Sequence, residues 1–353
     1  MDGNAIVLTN GQLDHYSAKT AHGLIRGTER YKIVGVIDPE FVGKDAGEVL
    51  DGKCRDIPVF SSVKDFLKNG EEEAQYCIMG IASKGGVMPE ELIPELKDAL
   101  NGGVSLVSGL HECLSDNPEI AEMAAKKGLE IIDIRKPKSF KELHFWKGKI
   151  SKVTCPKIAV LGTDCNMGKR TTARFIKEAL VENGFKAEMI YTGQTGWMQG
   201  NKYGFIFDST LNDFISGEIE HAIVSCFDAE NPDAILLEGQ SALRNPSGPC
   251  GAEFIISGET NAVVLQHDPD RTYFHGCEGY KNTIPSLAEE IELIKTYGAP
   301  TIAVTLNTKT MSNEDAESFR AKAEEELGIP VILPLKGVDR LGQVVSDFVK
   351  NFK

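Results

Sequence analysis

Lys157-Ile158-Ala159-Val160-Leu161-Gly162-Thr163-Asp164-Cys165-Asn166-Met167-Gly168-Lys169-Arg170-Thr171-Thr172 is the stretch on which the reading of this chain turns. Five residues with a continuous apolar run describe a strand buried on both faces, and the small and polar residues after them describe a tight turn. The helix that follows repeats Phe175, Ile176, Ala179 and Leu180 at spacings of three and four and is ended by Gly184. Strand, turn and helix start together make a P-loop, a concavity of backbone N–H groups backed by the positive end of a helix dipole. Its phosphate cradle is expected to comprise Gly162, Thr163, Asp164, Asn166, Gly168, Lys169, Arg170, Thr171 and Thr172, with Lys169 supplying the mobile charge.

Against the common G-x-x-x-x-G-K-[ST] pattern the loop carries one extra residue, and it resembles the P-loops of dethiobiotin synthetases and of MinD-like and signal-recognition-type NTPases. Arg170 departs from both. It occupies the place of the Ser or Thr whose hydroxyl ligates magnesium, so that role would pass to Thr171 or Thr172, about 100° or 200° further round the helix. If magnesium binds, Glu238 and Thr171 are the residues expected to meet it. A phosphate cradle without a metal suits a nucleotide held as a handle, such as the ADP portion of coenzyme A, whereas phosphoryl transfer needs the metal to neutralise developing charge.

Outward from the P-loop, apolar runs recur at Glu188 to Tyr191, Ala234 to Leu237, Ala262 to Gln266 and Thr301 to Leu306, and the last helix, from Asp339 to Phe352, has one apolar face. Before it, Ala5 to Leu8, Lys32 to Ile37, Gln75 to Ile81, Val104 to Val107 and Leu129 to Ile134 read as strands separated by crossover-length segments. Prolines, lysines and Gly148 interrupt the pattern between Pro137 and Pro156. The expected fold is therefore α/β with two parallel-sheet domains, Rossmann-like over residues 1–150 and P-loop NTPase-like over 151–353. In the first, Asp38 ends the second strand where an acid can hold a ribose hydroxyl. The turn Thr9-Asn10-Gly11-Gln12-Leu13-Asp14-His15, however, lacks the G-x-G-x-x-G that a dinucleotide requires, and Asp38 reads better as a turn residue before Pro39.

Ligands of doubly wound sheets collect at the carboxyl ends of the strands, which directs attention to the residues there. Glu238 ends a buried strand and would contact magnesium or water, or orient a substrate amine. Gln194-Thr195-Gly196-Trp197 follows another strand and is either a ligand-binding segment or a simple turn. Asp208 and Asp213 flank the start of a helix. His267, Asp268 and Arg271 bring a base, a carboxylate and a guanidinium to one loop, and Arg244 is a second guanidinium able to clamp a carboxylate. In the first half Ser108 and His111 follow a strand in Ser108-Gly109-Leu110-His111-Glu112, His111 being the weaker candidate.

Composition narrows the class. With 38 Lys and Arg against 52 Asp and Glu, the net charge of −14 excludes the basic surface of a non-specific nucleic-acid binder. No signal-like N-terminus and no apolar run near 20 residues is present, so a cytoplasmic protein without membrane contact is expected. The eight cysteines show no C-x-x-C pair, which argues for reduced thiols rather than zinc. No G-x-S-x-G elbow signals a hydrolase.

On Ser108-Gly109-Leu110-His111, the Gly162 to Thr172 loop, Gln194-Thr195-Gly196, Asp208 with Asp213, Glu238-Gly239-Gln240 and His267 to Arg271, the chain resembles a domain-of-unknown-function family that includes D-glutamate N-acetyltransferases. The resemblance implies transfer of an acetyl group from acetyl-CoA to the amine of D-glutamate or a similar acidic amino acid. The P-loop would hold coenzyme A phosphates, Arg244 or Arg271 with Gln194, Ser108 and His111 would take the substrate, and His267, Asp208 or Glu238 would accept the amine proton. An ATP- and magnesium-dependent ligase or kinase resembling dethiobiotin synthetase, or a non-catalytic nucleotide sensor, are the alternatives from other classes. A homo-oligomer is expected, since relatives with this P-loop type often dimerise.

Overall fold

A computed structural model describes residues 2–352, Lys84 by its backbone alone. The chain divides into two compact units, Met1–Lys138 with Gly193–Lys202, and Ser139–Thr192 with Tyr203–Lys353.

The first unit holds strands β1 (Gly3–Leu8), β2 (Tyr31–Ile37), β3 (Val59–Phe60), β4 (Tyr76–Met79), β5 (Ser105–Ser108) and β6 (Ile131–Asp133) in the order β3-β2-β1-β4-β5-β6. Every pairing is parallel. This is the doubly wound Rossmann order, with its topological switch between β1 and β4. Ala5, Ile6 and Val7 of β1 and Cys77 and Ile78 of β4 are fully buried, which is why these strands read as unbroken apolar runs. The Asp38 carboxylate accepts hydrogen bonds from Thr9 Oγ1 (2.7 Å), Gly11 N (3.0 Å), Leu13 N (3.1 Å) and Glu40 N (3.0 Å). It is the turn residue expected from Pro39, and it takes up the first-turn N–H groups that a pyrophosphate would need.

The short segment Gly193–Lys202 packs in this first unit. Gln199 Nε2 donates to Gly23 O (2.9 Å) and Gly27 O (3.1 Å), and the Arg30 guanidinium lies 4.0 Å from the centre of the Trp197 ring. The second unit is therefore not the unbroken 151–353 segment read from the sequence. Nor does it begin at residue 151. The carboxylates of Glu218 and Glu220, on the helix Asn212–Glu230, accept the backbone N–H groups of His144 (2.8 Å), Lys147 (2.7 Å) and Ile150 (3.1 Å), tying the stretch before 151 to the second unit.

That unit contains β7 (Lys157–Gly162), β8 (Ala187–Tyr191), β9 (Tyr203–Gly204), β10 (Ala234–Glu238), β11 (Ala262–His267), β12 (Thr301–Leu306) and β13 (Val331–Ile332), all parallel, in the order β13-β12-β11-β7-β10-β8-β9. β7 lies inside the sheet and alternates between its two faces. Ile158 and Val160 join Ile176 and Leu180 of the P-loop helix and Leu341, Val345 and Val349 of the C-terminal helix. Ala159 and Leu161 join Ile219 and Ile223 on the other side. The unanticipated strands β3, β9 and β13 are two residues long, too short to show a period. No helix among the described residues is long and apolar enough to cross a membrane.

Candidate functional site

The P-loop forms between β7 and the helix Lys169–Glu182. Gly168 caps that helix at φ +102°, in the left-handed region that only glycine enters cheaply. Lys169 folds back over the loop, and its Nζ donates to the carbonyl oxygens of Asp164 (2.7 Å) and Ser241 (2.8 Å). Burial of this ammonium pulls its pKa down to about 8, with nearby anionic groups, Asp164 and Glu238 among them, opposing the shift. A cation held so weakly in its protonated form is stabilised by an arriving phosphate.

Asp164, the residue after Thr163, is fully buried. Its Oδ1 accepts Cys165 N (2.7 Å) and Asn245 Nδ2 (2.8 Å), and its Oδ2 accepts Arg271 Nη1 (2.9 Å) and His275 N (2.7 Å). The carboxylate thus ties the P-loop to the loops after β10 and β11 and supports the cradle from behind. Arg271, expected to clamp a substrate carboxylate, also donates to Cys165 O at 2.7 Å and is a member of this network. Arg244 is engaged on one side only, its buried Nη2 meeting no hydrogen-bond partner among the described residues. Its Nε is 2.9 Å from the buried Glu290, with Glu289 4.0 Å from Nη1, and Arg244 opposes the upward pull of burial on Glu290.

Thr172 was one candidate for the metal-contacting hydroxyl. It donates instead to Gln266 Oε1 at 2.6 Å, an acceptor shared with Thr305 (2.7 Å), so it faces the core. Arg170 reaches across to the end of β10, Nη1 standing 3.7 Å from Glu238 Oε1. Glu238 is buried; desolvation raises its pKa, and Arg170, the Thr192 N–H at 3.3 Å and Lys169 act against that rise. Thr192 closes this side of the site by donating from Oγ1 to Glu238 O (2.7 Å) and accepting from Gln240 Nε2 (2.9 Å).

His267 ends β11 with Nδ1 2.9 Å from Thr163 Oγ1. Desolvation and then the Arg271 charge push its pKa down to about 4. The ring is neutral at pH 7, and its Nδ1 is engaged with the Thr163 hydroxyl of the P-loop. Asp208 lies in the turn Phe207–Ser209 beyond β9, continuing the carboxyl edge through Phe207 N, which donates to Thr192 O at 3.0 Å. β9 is three strands from β7 in the order β7-β10-β8-β9, a lateral separation of about 14 Å at ordinary strand spacing. Asp213 is exposed in the first turn of the next helix.

In the first unit, Ser108 is buried and its Oγ accepts Leu110 N at 3.2 Å. A Cβ on Gly109 would stand 2.5 Å from Gln194 Cγ. The segments around Ser108 and Gln194, distant in sequence, therefore pack together, and Arg135 Nη1 bonds the Gly109 carbonyl. Gln194 and Thr195 are buried, with Thr195 Oγ1 3.3 Å from Thr20 Oγ1. His111 is exposed, its backbone N–H bonded to Gly86 O at 3.0 Å. Residues that sequence reasoning missed are Asn245, Thr192, Gln266 and the His275 amide. Of these only Asn245 gave a local signal, in the Arg244-Asn245-Pro246 turn.

The family model described as "Domain of unknown function (DUF1611_C) P-loop domain" matches residues 144–342, and "Domain of unknown function (DUF1611_N) Rossmann-like domain" matches residues 39–137. A D-glutamate N-acetyltransferase of a Pseudoalteromonas species is 28% identical over 276 residues, covering 76% of this chain and 80% of the relative. Another from Tritonibacter scottomollicae is 29% identical with the same coverage. The crystal structure of a DUF1611 family protein from Anabaena variabilis matches with a TM-score of 0.87 at 28% identity, over 98% of this chain and 99% of that one. With a Rossmann-like sheet, a P-loop sheet and both family models in chain order, this protein belongs to the DUF1611 family.

Proposed function

We propose that the protein is an acetyl-CoA-dependent N-acetyltransferase acting on D-glutamate or a similar acidic amino acid. The observation that carries this reading is the spacing along the carboxyl edge of the second sheet. The P-loop and Asp208 stand on that edge three strand spacings apart, about 14 Å. The pantetheine arm of coenzyme A runs through twelve bonds from phosphate oxygen to sulfur, a reach of about 14 Å at the pitch of an extended chain. A coenzyme A held by its phosphates in the P-loop has the reach to present its thioester near Asp208, whereas His267 and Glu238 contact the P-loop's own Thr163 and Arg170. The names of the two curated relatives supply the acyl acceptor.

In the reaction the Asp208 carboxylate takes a proton from the substrate ammonium. The freed amine lone pair attacks the thioester carbonyl, an N–C bond forms, the C–S bond breaks, and the second proton on nitrogen passes to the departing sulfur, so that coenzyme A leaves as the thiol.

Incubating the protein with acetyl-CoA and D-glutamate, and separately with ATP, with and without EDTA, tests the reading by mass spectrometry. Acetylated product with EDTA present supports it, and ADP formation abolished by EDTA would point to a ligase or kinase. Asp208→Asn should lower kcat about a hundredfold or more with little change in coenzyme A affinity. Glu238→Gln should weaken that affinity instead. The reverse pattern would move the base to Glu238.

A further inference from the structure

Magnesium in a P-loop domain is ordinarily held by the hydroxyl that follows the loop lysine and by an acid at a strand end, and it bridges two phosphate oxygens. Thr171 is half-buried and stands about 100° further round the helix than the hydroxyl that ordinarily meets the ion, and the other side chains of this site do not fit it. Arg170 follows Lys169 and offers N–H donors with no lone pair for a metal. The Thr172 hydroxyl is bound to Gln266 inside the core. Glu238, at the end of the strand next to β7, has the Arg170 guanidinium 3.7 Å from Oε1 and the Thr192 N–H 3.3 Å from Oε2. The guanidinium therefore stands between helix start and strand-end acid, the position a metal would take.

We propose that Arg170, anchored by Glu238, is a built-in replacement for magnesium, so that this P-loop holds the diphosphate of a nucleotide without a divalent cation. The planar fork of an arginine can donate two parallel hydrogen bonds to phosphate oxygens while a third nitrogen faces the acid. Because Glu238 offsets its single charge, the pair neutralises less charge than Mg2+ and suits a phosphate that is held rather than transferred. The inference rests on the P-loop being the nucleotide site of the proposed function, and it does not depend on which amino acid is acetylated.

Titration of the protein with ADP and with coenzyme A by calorimetry, in EDTA and in excess Mg2+, decides it. The unaltered protein should bind ADP with affinities agreeing within about twofold in the two buffers. Arg170→Ser, which restores a hydroxyl opposite Glu238, should lose at least about tenfold in EDTA, the loss of one charge-assisted contact, and recover in Mg2+. Arg170→Lys, which keeps a cation beside Glu238, controls for folding and should retain more affinity in EDTA than the serine variant. A tenfold or greater Mg2+ requirement in the unaltered protein overturns the proposal, as does ADP bound in neither buffer. Arg170→Ser binding as tightly as the parent in EDTA also overturns it. Metal-independent ADP binding without any acetyl transfer would leave the Arg170 role standing and remove the acetyltransferase reading; acetyl transfer with strictly Mg2+-dependent ADP binding would do the opposite.

Discussion

Replacing Asp164 by Asn changes little in shape and much in hydrogen bonding. The carboxylate is fully buried and each oxygen accepts two donors, Cys165 N and Asn245 Nδ2 on one side, Arg271 Nη1 and His275 N on the other. Whichever way the new amide turns, its NH2 confronts two of those donors, and the Arg271 charge keeps only the more distant Asp268 carboxylate, 3.7 Å from its Nη2. Removing one member of a buried ion pair costs about 3–5 kcal/mol. Arg271 retains 22% of its side-chain exposure and can recover some hydration, so the lower end, about 3 kcal/mol, is expected, a large fraction of the 5–15 kcal/mol typical of a folded protein. Urea denaturation followed by circular dichroism measures it. The Asp164→Asn, Arg271→Gln double variant should lose less than the sum of the single losses, with a coupling of about 1 kcal/mol or more. A loss below about 1 kcal/mol for Asp164→Asn, or strict additivity, would refute the view that this residue holds the P-loop to its neighbouring loops.

The Lys169 pKa of about 8 makes phosphate affinity depend on pH. The ammonium binds phosphate and the free amine does not, so the Kd for ADP should rise as pH passes 8, approaching about tenfold per pH unit above it; calorimetry from pH 6.5 to 9.5 checks this, a flat profile refuting it and Lys169→Met abolishing it. For His267 the folded pKa of about 4 lies below the ordinary 6.5, so the unfolded chain takes the proton first and stability declines as pH falls from about 6.5 to about 4. The full effect is of order 3 kcal/mol, and His267→Gln should flatten the acid side of a stability–pH curve measured by denaturant unfolding.

Much of the fold was legible because buried parallel strands must be continuously apolar and a P-loop is a local device. β1, β2, β4, β5 and β6 and the five long strands of the second sheet announced themselves in runs of a few residues, and Gly168, Lys169 and the helix after them declared a phosphate cradle. The sequence also placed Arg170 where a metal-binding hydroxyl is ordinarily found. Tertiary structure decided what these side chains do. Arg271 is taken up by Asp164 and Thr172 by Gln266, Arg244 gives its Nε to Glu290, and Gln194 packs against Gly109 in the first unit. A residue's type advertises the bonds it can make, but whether a guanidinium meets a substrate or a buried carboxylate depends on a partner 107 positions away for Arg271, brought beside it only when parallel strands align their carboxyl ends.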